Sequence, residues 1–217
     1  MALVYSVKGD YYKSILFFEQ VLIIERENLG ICKEVAETYE LLGHVYSVKG
    51  HYESSLDCYQ DALKVRLKIK EGNETAVADT YFLIGKMCNL LKQHERAIEY
   101  LEIALETKRK NSNEGQTYIA RVLQAIGVTY YDMKNYTNAL SYFEEVVAIR
   151  RSADWQNDGD LIKSAKVFYL MADTLTELKE YDKAIDTYVR TMRILRLQSG
   201  KVMKKLFWCN KSLGMST

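Results

Sequence analysis

The chain has no proline and only 11 glycines in 217 residues. Proline removes a backbone donor and breaks helix interiors, so its absence leaves a helical chain without its strongest interruption. No apolar run approaches the roughly 20 residues that a bilayer span needs. Met1-Ala2-Leu3-Val4-Tyr5 has no basic region ahead of an apolar core and does not read as a signal peptide; it reads as the middle of a helix. An excess of one charge is also missing. Lys+Arg 30 against Asp+Glu 29 leaves a net charge of +1. Such a balance offers no general attraction for nucleic acid or an anionic membrane, and neither is expected as a partner. β-branched residues are scattered and do not alternate, so no strand is expected.

Paired cysteines are lacking too. Cys32, Cys58, Cys88 and Cys209 are never closer than 26 residues, which excludes a zinc-type or redox CxxC pair. Without a secretory signal they read as reduced, buried thiols of a cytoplasmic protein. The sequons at Asn73-Glu74-Thr75, Asn135-Tyr136-Thr137 and Asn210-Lys211-Ser212 are then chance matches. What is present is globular in composition, with 48% hydrophobic and 27% charged residues.

A repeat organises those residues. Tyr39–Tyr46, Tyr81–Cys88, Leu123–Tyr130 and Phe168–Leu175 align, with a small residue at Gly43, Gly85, Gly127 and Ala172. The steps between these are 42, 42 and 45 residues. A second block follows each: Tyr52, Ser55, Tyr59 and Ala62; His94, Ala97, Leu101 and Ala104; Tyr136, Ala139, Phe143 and Val146; Tyr181, Ala184, Tyr188 and Thr191. Spacings of three and four put each block on one helix face. A small residue at mid-helix lets a partner helix come close, and a large one fills the space beside it. The pattern therefore predicts two helices per unit, A and B, packed small against large. Lys49-Gly50, Lys92-Gln93, Lys134-Asn135 and Lys179-Glu180 read as A–B turns. Glu71-Gly72-Asn73, Asn111–Gly115 and the longer Asp154–Gly159 read as linkers between units, with Asp160 capping the next helix. Both ends read as open units. Met1–Lys8 is the tail of an A helix, and Lys201–Gly214 another A helix.

This pattern resembles the tetratricopeptide repeat, on residues such as Gly43, Tyr46, Tyr52, Tyr59 and Ala62, or Gly127, Tyr130, Tyr136, Ala139 and Phe143. The usual repeat is about 34 residues. A period of 42 is similar to the long-repeat class of the kinesin light chains. The chain departs from light chains in having no His-Pro pair after helix B and no tandem Asn in helix A. Glu40-Leu41, Phe82-Leu83 and Gln124-Ala125 stand at the Asn positions. The resemblance implies an all-α right-handed superhelix, an α-solenoid of antiparallel helix pairs, spanning residues 1–217 as a single array. Its units fall at 1–30, 31–72, 73–114, 115–158 and 159–200, with a partial unit or capping helix at 201–217.

Several features were weighed as sites. His51 and His94 fall at A–B turns and His44 one residue after the repeat glycine; no nucleophile–base grouping or phosphate loop accompanies them, so no enzyme is expected. Asp154, Gln156, Asp158, Gly159 and Leu161 imitate the start of a calcium loop, but the position for its bidentate glutamate is Ala165, so no metal is expected. Most of the 17 tyrosines fall at repeat packing positions and read as core. Clusters such as Lys108-Arg109-Lys110 complement helix C-termini. No cofactor is implied.

What the resemblance implies instead is a protein-interaction scaffold or adaptor, with helix A lining a concave groove for a peptide or helical segment of a partner. The family's groove positions carry over to Glu40 and His44; Phe82, Lys86 and Asn89; Arg121, Gln124, Val128 and Tyr131; Tyr169 and Asp173. The amide and lysine set by which chaperone-binding arrays clamp a C-terminal carboxylate is missing, with Glu40, Leu41 and Leu83 in its place. An extended segment held by Lys86, Asn89, Arg121 and Gln124, with an apolar anchor near Phe82 or Tyr131, fits better. The other reading is a structural component of a larger cytoskeletal or ciliary assembly, packing through its convex face and ends, with end-to-end self-association.

Overall fold

The repeat is realised as α-helices joined by tight turns in a computed structural model that describes residues 1–69, 73–110, 116–152 and 158–212. No strand occurs among the described residues. The chain forms two compact units, Met1–Gly115 and Gln116–Thr217.

The first unit holds α1 (Ala2–Val7), α2 (Tyr11–Asn28), α3 (Lys33–Val48), α4 (Tyr52–Lys68), α5 (Glu74–Leu90) and α6 (His94–Lys110). α1 packs on α2, α3 on α4 and α5 on α6, while α2 and α4 each pack on the helix that follows them, α3 and α5. In the second unit α7 (Gln116–Asp132) pairs with α8 (Tyr136–Ser152) and α9 (Asp158–Glu177) with α10 (Tyr181–Ser212), and α8 packs on α9. Two boundaries differ from expectation. α9 begins at Asp158, so Asp160 is inside the helix and not its cap. α10 runs unbroken to Ser212, so the helix expected to begin at Lys201 continues α10. A single Gly200 without proline does not end a helix. The linker at 111–115 and, of the calcium-loop imitation, Asp154 and Gln156 lie outside the described residues.

One backbone device makes every A–B turn. Gly50, Lys92, Lys134 and Lys179, each at the same place in its repeat, all have positive φ, at 80°, 61°, 61° and 63°. The Gly50 N–H donates to the Ser47 carbonyl and the His51 N–H to the Tyr46 carbonyl, both at 3.0 Å. The same two bonds recur after Lys92, Lys134 and Lys179. This paired bonding satisfies the last carbonyls of helix A and reverses the chain.

The small residue does what its spacing predicts. A Cβ added to Gly43 would lie 2.8 Å from Tyr59 Cε1. At Gly85 it would lie 2.7 Å from Leu101 Cγ, and at Gly127 2.7 Å from Phe143 Cε1. Tyr59, Leu101 and Phe143 are fully buried, among Ala62, Ala97, Ala104, Ala139 and Val146. In the fourth hairpin Ala172 carries the Cβ that the others lack. Its partner Tyr188 is only half-buried and sits edge-on to Tyr169, ring centroids 5.9 Å apart.

Two glycine exchanges should therefore act in opposite directions. Gly127→Ala should lower stability by about 1–2 kcal/mol, since overpacking against Phe143 exceeds the gain in helix propensity. Lys134→Gly, exposed and left-handed, should raise it by about 0.5–1 kcal/mol. Urea unfolding of both variants checks the pair.

Candidate functional site

The offset from the repeat's small residue decides which A-helix side chains face outward. One residue before it, Leu42, Ile84 and Ile126 are buried or nearly so, and two after it Val45, Met87 and Thr129 are buried. These fill the core. The candidate residues mostly stand three before, one after and four after, on the remaining face. His44, Lys86, Arg121 and Tyr169 are exposed there. Glu40, Asn89, Gln124, Val128, Tyr131 and Asp173 are half-buried. Phe82 is buried at 6% exposure and serves as core under the Lys86 ammonium, which stands 5.7 Å from its ring centroid.

In the first unit Glu40 has intramolecular work. The buried Arg66 near the end of α4 grips it in a fork, Nε to Oε1 at 2.9 Å and Nη2 to Oε2 at 2.8 Å. Thr80 of α5 donates its hydroxyl to the same Oε1 at 2.5 Å. Asn73 donates to the Arg66 carbonyl at 2.5 Å, closing the end of α4. A paired, hydrogen-bonded charge of this kind ties three helices together, and leaves Glu40 less free for a ligand. Asn89 Oδ1 lies 2.9 Å from His94 Nδ1, linking the end of α5 to the start of α6. His44 and Lys86 are exposed on this face.

The second unit repeats the motif with an amide. Arg150 of α8 donates Nη2 to Gln124 Oε1 at 3.0 Å. In both cases 26 residues separate the partners. The Arg121 guanidinium stands 5.9 Å from the Tyr118 ring. Tyr131 packs edge-on against Tyr136 with centroids 5.4 Å apart, and Tyr188 donates its hydroxyl to Asp173. The Tyr131 hydroxyl is held above its ordinary pKa by burial and then by the Asp173 and Glu177 carboxylates, so Tyr131, Asp173 and Glu177 share one neighbourhood.

Arg66, Thr80, Arg150, Glu177 and Tyr188 were not among the sequence candidates. A basic residue 26 positions after the −3 residue in the first three hairpins, Arg66, Lys108 and Arg150, was a readable signal for the two arginines. Glu177 offered a weaker one, since its position holds Val48 and Leu90 in the first two repeats and an acid, Asp132, only in the third.

Among the described residues no group of His, Cys, Asp and Glu could hold a metal ion. Burial, then Asp61 and Asp57, push the Cys58 thiol up to about 12, and burial raises Cys88. Such thiols stay protonated and are poor nucleophiles. Cys32, Cys58 and Cys88 are free. No helix among the described residues is long and apolar enough to cross a membrane.

Glu40→Ala should strand the buried Arg66 charge and destabilise the chain by about 3 kcal/mol, read by urea unfolding. A loss below that of an ordinary surface substitution would show that the fork is not structural.

Comparison with known proteins gives the same architecture. Family profiles described as Tetratricopeptide repeat match residues 74–152 and also 36–68 and 165–191. BtubC (BKLC) of P. vanneervenii superposes with a TM-score of 0.80 at 25% identity, over 92% of this chain and 78% of that one. A Podosopora anserina protein described as a kinesin light chain with nearly identical TPR-like repeats gives 0.74 at 14% identity, over 89% and 90%. A Rap protein complexed with Competence and Sporulation Factor gives 0.70 at 19% identity, over 91% of this chain and 53% of that one. The last two likenesses show the fold, a repeat of antiparallel helix pairs. No curated protein matches.

Proposed function

The chain belongs to the tetratricopeptide repeat family, and from that premise we propose that it is a non-catalytic scaffold or adaptor, set in the cytoplasm, whose helix-A faces hold a peptide or helical segment of a protein partner. The observation that carries this reading is the division of labour along each A helix. One face is consumed by the glycine contacts of the core, and the other presents polar and aromatic groups at repeat spacing. His44 and Lys86 stand on it in the first unit, and Arg121, Val128, Tyr131, Tyr169 and Asp173 in the second. Side chains of mixed chemistry at a regular pitch suit a ligand read residue by residue, as in groove recognition of extended or helical segments. The bound factor in the Rap neighbour is consistent with such use of this fold.

Charge reversal tests the reading. The chain carrying Lys86→Glu and Arg121→Glu should capture its partners from native lysate about tenfold less well than the parent. Mass spectrometry of the captured proteins reads the outcome, and an unchanged partner set overturns the groove.

A second reading has its own observation. Ile185 and Met192 on α10 are 59% and 63% exposed, whereas Leu56 and Val147, at the matching places in earlier repeats, are 7% and 8% exposed because a following A helix covers them. An uncovered apolar face of this kind favours packing into a larger assembly or end-to-end association. In sedimentation runs at rising concentration, stacking would appear as growing oligomers that Ile185→Glu with Met192→Glu dissolves. A concentration-independent monomer rejects it.

A further inference from the structure

The second unit carries a cluster that the repeat contacts do not require. Tyr131 of α7 meets Tyr136 of α8 edge-on, with centroids 5.4 Å apart and 64° between the rings. Tyr169 of α9 meets Tyr188 of α10 the same way, at 5.9 Å and 65°. Two carboxylates one turn apart on α9 join these pairs. Asp173 accepts the Tyr188 hydroxyl, and the Glu177 carboxylate lies near enough to Tyr136 to raise its hydroxyl above the ordinary value. α9 packs on both α8 and α10 and touches α7, so four helices contribute to one surface.

The cluster has the wrong balance for a purely structural one. Two negative groups stand beside four aromatic rings, whose faces are also negative. Among the described residues neither carboxylate has an ion pair to a basic side chain, and the bond that Asp173 accepts is from the Tyr188 hydroxyl. Their charge is felt in the surrounding hydroxyls. Hydrogen bonding to Asp173, then burial, raises Tyr188, and burial, then Glu177, raises Tyr136. Nor is the cluster closed. Tyr169 is 50% exposed and Glu177 is exposed. A missing positive charge, an exposed ring at Tyr169 and two neighbouring carboxylates are together complementary to a planar cation that both stacks and donates several hydrogen bonds. Among protein side chains arginine alone does both.

We propose that this cluster seats an arginine side chain of an extended partner segment, its guanidinium against the open face of Tyr169 and its N–H groups on Asp173 and Glu177. The proposal rests on the reading of the helix-A face as the interaction surface, and names the chemistry of one of its ligands. It also gives the two units different tastes. The first unit presents His44 and Lys86 outward, whereas the second ends its A helices in acid.

The probe is a fluorescently labelled peptide of alternating glycine and arginine, titrated with the full chain at low salt and followed by anisotropy. The matching glycine–lysine and glycine–glutamate peptides are compared. The arginine peptide should bind, the lysine peptide several-fold more weakly, and the glutamate peptide not at all. Asp173→Asn with Glu177→Gln should weaken the arginine peptide by about tenfold, and Tyr169→Leu by about fivefold. Circular dichroism melting should stay unchanged, since Asn and Gln keep their acceptors; exposed Glu177→Gln alone serves if the double variant melts early, with a smaller loss expected. Unchanged binding in the carboxylate variants overturns the proposal. So does equal binding of the lysine peptide that ignores Tyr169→Leu, because that is bulk electrostatics. Lys86→Glu distinguishes this from failure of the wider reading. It should keep the arginine peptide even if partner capture is lost.

Discussion

The close seating of a large helix-B side chain on a glycine of helix A sets the rest of the molecule. Tyr59, Leu101 and Phe143 lie where no side chain on the facing residue could be accommodated. That distance fixes how near the two helices of a hairpin come, and so which other residues can reach across. Where Ala172 stands in place of glycine, the tyrosine at the matching place, Tyr188, is half-buried and bonds to Asp173.

The long period has a physical use in the same terms. α4 and α8 each run 17 residues, and Arg66 and Arg150 fall near their ends. A helix B shorter by one turn would end before Arg66 or Arg150. The extra turn carries a guanidinium back over the first helix and, at Arg66, out to Thr80 of the next hairpin through their shared carboxylate. A conformational link between neighbouring repeats is thereby added to the apolar one. It takes Glu40 out of the set of groups that face a ligand.

The hairpins, their turns and the outward face of helix A were legible in the residues. Gly43, Gly85 and Gly127 announced the close contacts, and the spacing of Tyr59, Leu101 and Phe143 named what fills them. The ends of α9 and α10 were less legible, because single breakers such as Gly200 mark a helix end only when the tertiary setting favours one. The candidate site was read in outline only. Phe82 and Tyr169 share one register position, yet Phe82 is buried and Tyr169 exposed. Nothing in the repeat distinguishes them; the neighbouring helix does.

The sequence by itself determined the helical class, the pairing of helices, the period and the face each residue occupies. These follow from backbone propensity and the 3.6-residue turn, which are local and repeat with the chain. Tertiary structure alone decided the partners of the polar groups: that Glu40 belongs to Arg66 and Thr80, that Gln124 belongs to Arg150, and that Tyr131, Asp173 and Glu177 share one neighbourhood. A charge or a ring acts over a few ångströms in space, and those neighbours come from helices many residues away.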